Sequence, residues 1–476
     1  MKKLKKQNHT KIALFAGAAA LMALTPNSHA QSSVDALLNK LEQKGILTVD
    51  EAKQLKTENQ QDSAADLNKA MNSRFPMPDW VTSYKLYGDF RGRIDELTTD
   101  SPGGASLSAQ DRMRLRYRVR VGMLVNMKDD LQVGFRLGSG DGGALSNNST
   151  LENNGTKKPI WVDTAYGKWT PINDSVWMLA ATIGKMEQPF QVSQMVFDSD
   201  YTPEGGALQG SYKINDNHSL AVNAAAFVLD EVAASGRDPF VYGAQVIWNA
   251  NWAPRIASSL GIGAFDIVNR EALGLSGGAN PPNINNGGSG SSAVANNNQG
   301  NSRNIYGNLA YNYNPIVVSG SATYTLDSFP LYKGKFPIKL SGEFMDNPGA
   351  NPATGSANNQ GFWGGITFGK SGKKGTWDIF YRYQYLEADA WYDELVDDDN
   401  VAFYSNTSTA LAKNGWVSGT NLKGHLVKFN YSLTDALTFS FTSYINDLIN
   451  PNLNTGGLGE PKNHSLHIMA DLMWKF

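Results

Sequence analysis

The chain contains no cysteine. That absence excludes a disulfide scaffold, a thiolate zinc site, a cysteine nucleophile and a c-type haem attachment. Long hydrophobic runs are missing too: nothing approaches the roughly 18 consecutive apolar residues of a membrane-spanning helix, and the mean hydropathy is −0.36. Charge is sparse, at 18% of residues against the roughly 25% of an ordinary soluble domain. Glycine is abundant, at 47 of 476 residues. This composition leaves a β-rich chain, either soluble or crossing a membrane as a closed barrel.

Residues 1–30 read as a signal peptide. Lys2, Lys3, Lys5, Lys6 and Lys11 form a basic region, Ile12 to Leu24 an apolar stretch too short to span a bilayer, and Ser28-His29-Ala30 a small-x-small cleavage site. Removing it takes five lysines and leaves 37 basic against 44 acidic residues, a net charge of −7. An exported, acidic chain is a poor match for nucleic acid, whose phosphates select basic surfaces.

Residues 31–78 carry the chain's helical pattern. Val34, Leu37, Leu38 and Leu41 recur at helical spacing, Gly45 interrupts them, and Thr48 with Glu51 forms a capping box. The pattern suits a short helix pair or a coiled-coil segment in the periplasm, either a solvated spacer or a stalk that oligomerises or touches the cell wall. Pro76 and Pro78 end it.

From residue 79 to 476 the period is two. Lys85, Tyr87, Asp89, Arg91, Arg93 and Asp95 alternate with Leu86, Gly88, Phe90, Gly92 and Ile94. Arg112, Arg114, Arg116, Arg118 and Arg120 alternate with Met113, Leu115, Tyr117, Val119 and Val121. Such strands set one face in an apolar medium and the other in water. About sixteen segments of this kind follow one another. Short turns, at Lys128-Asp129-Asp130 or Asn215-Asp216-Asn217, alternate with long polar connections such as 139–159, 187–205, 272–304 and 388–419. Short turns at one end and long loops at the other predict an all-β fold, a transmembrane antiparallel up-and-down barrel, preceded by the short helical segment.

The last strand places Leu466, Ile468, Ala470, Leu472, Trp474 and Phe476 on one face and ends in an aromatic residue. Here the chain resembles Gram-negative outer-membrane proteins. Together with Gly45-Ile46-Leu47-Thr48 and the Asp198-x-Asp200-x-x-Pro203-Glu204-Gly205 loop, it resembles the putative-porin family of those membranes over nearly the whole mature chain. The resemblance implies a passive, water-filled path for small hydrophilic solutes, with no cofactor. It implies a terminal signal at Leu472, Trp474 and Phe476 read by the barrel assembly machinery, an outer-membrane setting of lipid and lipopolysaccharide, and a homotrimer as in porins generally.

A barrel of this size leaves a lumen, and charge facing lipid costs roughly 2–4 kcal/mol at the midplane. The arginines are therefore expected inside, Arg91, Arg93 and Arg136 joining Arg112 to Arg120 in a basic wall. The resemblance to porins, whose third long loop folds into the lumen, implies that the third long connection, with Glu187, Asp198, Asp200 and Glu204, folds inward opposite this wall and sets up a transverse field. A weaker possibility is that Asp397, Asp398 and Asp399 bind a divalent cation in a surface loop, though a solvated, repelling loop is the commoner outcome. Enzyme sites are not apparent: His464 and His467 are three apart on a strand and point to opposite faces, and His218 sits beside a short turn. The competing reading is a structural or adhesive barrel plugged by its loops; an outer-membrane hydrolase is the remote alternative.

Overall fold

The computed structural model describes residues 78–99, 111–232, 236–273, 299–304, 308–353, 355–404, 415–453 and 464–476. The signal peptide and the helical segment of residues 31–78 lie outside these residues, apart from Pro78. Among the described residues no helix is long and apolar enough to cross a membrane.

Alternation at period two dictates strands: β1 (Val81–Thr99), β2 (Arg112–Met127), β3 (Leu131–Gly138), β4 (Ser149–Thr150), β5 (Trp161–Asn173), β6 (Trp177–Lys185), β7 (Glu204–Lys213), β8 (His218–Val228), β9 (Phe240–Ala253), β10 (Ile256–Val268), β11 (Ile316–Leu326), β12 (Phe336–Asp346), β13 (Gln360–Gly369), β14 (Trp377–Leu386), β15 (Val401–Tyr404), β16 (Gly415–Ser418), β17 (Leu422–Ser432), β18 (Leu437–Leu448) and β19 (Ser465–Lys475). β15 and β16 form a separate hairpin and β4 is a two-residue addition beside β2. The other sixteen pair with their neighbours in chain order, all antiparallel, and β19 returns to β1, closing the barrel. Closure leaves none of these sixteen strands with an unpartnered edge, which is what hydrocarbon demands of backbone polar groups.

The two faces sort by chemistry. On β2, Met113, Leu115, Val121 and Met123 are exposed on the outside, while Arg118 is buried inside. At the short-turn end the outer face carries a belt of exposed aromatic residues that includes Trp80, Trp169, Trp177, Trp252, Phe329 and Trp474, the position of an interfacial girdle. Phe476 joins it: its backbone exchanges hydrogen bonds with Gly88, 2.9 and 3.1 Å. Its ring lies where a Cβ on residue 88 would stand, 2.5 Å away.

The long loops at the other end do not all stay outside. Residues 186–203 and 387–404 enter the lumen and meet there: Asp198 N–H donates to Leu395 O at 2.8 Å, Asp397 N–H to Gln194 O at 3.0 Å, and Trp391 Nε1 to Val196 O at 2.8 Å. Their apolar residues, among them Phe190, Met195, Phe197, Trp391 and Tyr392, pack with the inward Phe227, Phe265, Met345 and Leu386 of the wall in one buried cluster. Among the described residues this is the largest buried apolar cluster, and it is built inside the barrel.

Candidate functional site

The loop of residues 186–203 crosses the lumen between two opposed walls. Its feet are set by Gly184 and Gly205, which pair across β6 and β7. Both have left-handed φ, +119° and +152°, and a Cβ would meet a carbonyl oxygen at 2.4 and 2.1 Å respectively. Only glycine suits such a turn-out of the chain. Midway, Ser193 N–H donates to Glu343 of β12 at 3.1 Å, and its hydroxyl donates to the same carboxylate. Seven residues on, Asp200 accepts from Arg118 of β2 at 3.0 Å and from Arg120 at 3.4 Å.

The arginines lie on the inner face as a ladder, and each rung has an acid. Arg114 and Arg116 hold Asp95, at 2.9 and 3.4 Å. Arg118 and Arg120 share Asp89, at 2.9 and 2.8 Å, and Asp200. Arg93 forks onto Asp471 at 2.8 Å and reaches Asp399 at 3.0 Å. Arg91 donates to Asn148 at 2.7 Å and stands 3.9 Å from Asp471. Arg136 pairs with both Asp163 and Glu187. His467 completes the cluster, 3.3 Å from Asp95 and 2.7 Å from Asp399 O. Seven guanidinium groups thus meet seven carboxylates: Asp89, Asp95, Asp163, Glu187, Asp200, Asp399 and Asp471.

Several expectations need correction. The carboxylates opposing the ladder come mostly from the ladder's own strands and their neighbours, a consequence of register: Asp89 faces Arg120, Asp95 faces Arg114 and Arg93 faces Asp471 across the sheet. From the expected loop only Glu187 and Asp200 reach arginines. Asp198 turns toward residues 397 and 398, taking the N–H of Asp398 at 3.0 Å. Glu204 is not in the loop at all. It opens β7, with its side chain 66% exposed, and pairs with Lys185 at 3.2 Å. Arg112 is exposed at the far end of its strand rather than in the ladder.

The acidic run 397–399 is not a solvated surface loop either. Apolar neighbours such as Trp391 and Leu395 carry it inside, where Asp397 accepts from Arg382 and from Tyr444 at 3.1 Å each. Asp198, Asp397 and Asp398 bring one carboxylate oxygen each within 4.8 Å of one another. Burial pushes Asp398 well above the usual carboxylate range, with Asp399, Asp198 and Asp397 adding to it, and burial followed by Asp397 does the same to Asp198. Burial also works on Asp399, but Arg93, His467 and Arg91 hold it low. Like charges this close retain protons instead of all ionising.

A third segment braces the loop of residues 387–404. Asn301 N–H donates to Asp393 at 2.9 Å, its amide to Ala388 O and Trp391 O at 2.6 and 2.7 Å, and Asp389 accepts from Ser302 and Tyr313. The sequence holds no signal for these contacts, because Asn and Ser in a glycine-rich loop read as solvent-facing. The strand carboxylates are different: Asp89 and Asp95 sit on the arginines' own alternating face, a visible cue. The other described histidines stand apart from the ladder, His464 with Asp447, His425 with Tyr381 on the outer face, and His218 stacked on Trp248.

In solved structures the chain is similar in outline to Pseudomonas putida OprB, at 10% identity over 83% of this chain and 94% of that one, with a TM-score of 0.48. A mutant of the Rh. blastica porin aligns at 8% identity over 83% of this chain and all of the other, with a TM-score of 0.38. A loop-deletion mutant of OmpT, an outer-membrane protein of Vibrio cholerae, aligns at 10% identity over 82% and 99%, with a TM-score of 0.39. No curated protein matches the chain in sequence. Residues 98–454, most of the barrel, match the family described as Putative porin, and the chain belongs to that family.

Proposed function

We propose that this chain is an outer-membrane porin, a passive channel for small hydrophilic solutes, whose narrowest part lies between the arginine ladder of β1, β2 and β3 and the infolded loops 186–203 and 387–404. The observation that carries the reading is the polar, charged inner wall of β1 and β2 set against an apolar outer face. A buried wall of guanidinium and carboxylate groups in alternation suits water and polar solutes and rejects apolar ones. Because the ladder is neutralised rung by rung, its part is to orient water and fix the loops more than to supply net charge. The family supports a channel over an enzyme. A periplasmic placement of residues 31–78, assembly as a homotrimer, and insertion through recognition of Leu472, Trp474 and Phe476 belong to the same reading.

A second reading, a barrel closed by its loops, is favoured by the buried apolar cluster around Trp391 and Phe197. Purified protein in a planar bilayer separates them: steady, stepwise conductance is expected, and a folded barrel that passes no current would overturn the channel.

A further inference from the structure

The ladder is balanced, so the net field of the lumen must come from elsewhere. Below the ladder, toward the short turns, the inward positions are mainly small and polar; besides Lys213 and the strand-end Lys475 they include four lysines spread around the ring. Lys85 stands on β1 opposite Leu124, Lys168 on β5 opposite Gln132 and Thr182, Lys339 on β12 opposite Thr323 and Thr367, and Lys428 on β17 opposite Thr442 and Phe380. Parity puts all four on the inner face. Lys85 lies four residues from the inward Asp89 on β1 and Lys339 four from the inward Glu343 on β12; Lys168 pairs with Gln132, four residues from the inward Arg136 on β3, and Lys428 lies two from the inward Leu426, which faces Arg382. Among the described residues none of the four has an acidic partner, whereas Lys213, also inward, is tied to Asp216 at 2.7 Å. The inward acid at this level is Asp378, engaged by Asn430 at 2.7 Å and by Ser371 N–H at 2.8 Å.

Their spacing is regular. Going round the ring from β12 to β17, from β17 to β1, and from β1 to β5, two strands intervene each time. Three strand spacings are roughly 15 Å, and long flexible side chains reaching into the lumen shorten that. From β7 to β11 the inward positions at this level are Ser211, Ser219, Asn249, Ser259 and Ser321, uncharged, with the paired Lys213 and Asp216 beside them. The lysines therefore form an arc below and to both sides of the ladder, facing a neutral arc.

We infer that this lysine arc is an anion-attracting vestibule on the turn side of the constriction, and that it gives the channel a preference for small anionic solutes bearing carboxylate or phosphate groups. The inference rests on the channel reading above and names its solute class. Charges on an enclosed wall raise the local concentration of counter-ions and their rate of entry. Ammonium groups are point charges without the planar fork of arginine, so they attract anions without holding them in one geometry, which a diffusion path requires.

The test is reversal potential across a planar bilayer in a potassium chloride gradient, using the full barrel. Wild type is expected to favour chloride, with a permeability ratio over potassium above 1, decaying at high salt as the screening length falls from about 10 Å at 0.1 M to about 3 Å at 1 M. Two double variants, Lys85→Gln with Lys168→Gln and Lys339→Gln with Lys428→Gln, should each lower the ratio, and all four changes together should bring it to about 1 or below, with conductance steps retained. Inorganic phosphate added on the turn side should reduce chloride current in wild type more than in the fourfold variant. A wild-type ratio at or below 1, or an unchanged ratio in the variants while current persists, would overturn the lysine assignment alone. Absence of any wild-type current would overturn the channel reading and the vestibule with it.

Discussion

Arg118 and Asp200 are joined at 3.0 Å, although one is in the second strand and the other is in a loop that leaves the sixth. That pair ties the far end of the infolded loop to the ladder, while Ser193, midway along it, is anchored on Glu343 of β12.

Replacing Asp200 with Asn should keep the fold and free Arg118 and Arg120 from their loop partner, leaving Asp89 to serve both. Losing the charge-assisted bonds costs about 1.5–3 kcal/mol locally, and the lumen gains one net positive charge. Reversal potential should move toward anion preference and conductance should become noisier; an unchanged potential would mean that Asp200 lies off the permeation path.

Gly205→Ala tests the loop's foot. The left-handed φ and the carbonyl of Ala226 at 2.1 Å leave no space for a methyl group. Strain of about 1–3 kcal/mol should be relieved by shifting the loop, not by opening the barrel. We expect heat-modifiable, membrane-inserted protein with altered step conductance. Wild-type conductance would show that the loop's seat does not depend on this turn.

Acidification should tighten the loop junction. Burial raises the Asp389 carboxyl to about 6, against the opposing bonds from Ser302. A group raised in the folded state contributes stability that is fully present below its unfolded value, near 4, and lost as pH rises through about 6. Protection factors at residues 301–303, exchange rates divided into the intrinsic rate at each pH, should therefore be higher at pH 4.5 than at pH 7.5, and Asp389→Asn should flatten the difference. Equal protection at both values would sink the assignment.

Deleting Phe476 removes two backbone hydrogen bonds to Gly88 and the ring that covers it. The yield of inserted barrel should fall while signal cleavage continues. Full yield would argue that closure and recognition need only Trp474 and Leu472.

The barrel was legible because its physics is local: alternation at period two survives in every strand, and the arginine ladder on β2 declares its face by what lies between the arginines. Strand neighbours at the same register were half legible, since Asp89 and Asp95 share that face but their partners depend on pairing. The inward course of residues 387–404 was not legible. A run of aspartates reads as solvated unless one knows that Trp391, Leu395 and Val396 bury beside it, and that Arg382, 15 residues upstream, waits on the wall. The lysine arc is dispersed over more than 300 positions of chain and exists only after closure.

Closure itself has a kinetic meaning. The seam joins Val81–Thr99 to Ser465–Lys475, so Arg93 finds Asp471 across 378 residues. Pairing at such separation cannot begin until the final strand has been synthesised and exported. The entropy of gathering so long a chain is met in a single late step. Until then β1 and whichever strand is newest are open templates for foreign pairing. Until that seam forms the sheet has two unpartnered edges, so a chain cut short before β19 would be an aggregation-prone ribbon instead of a slightly shorter pore.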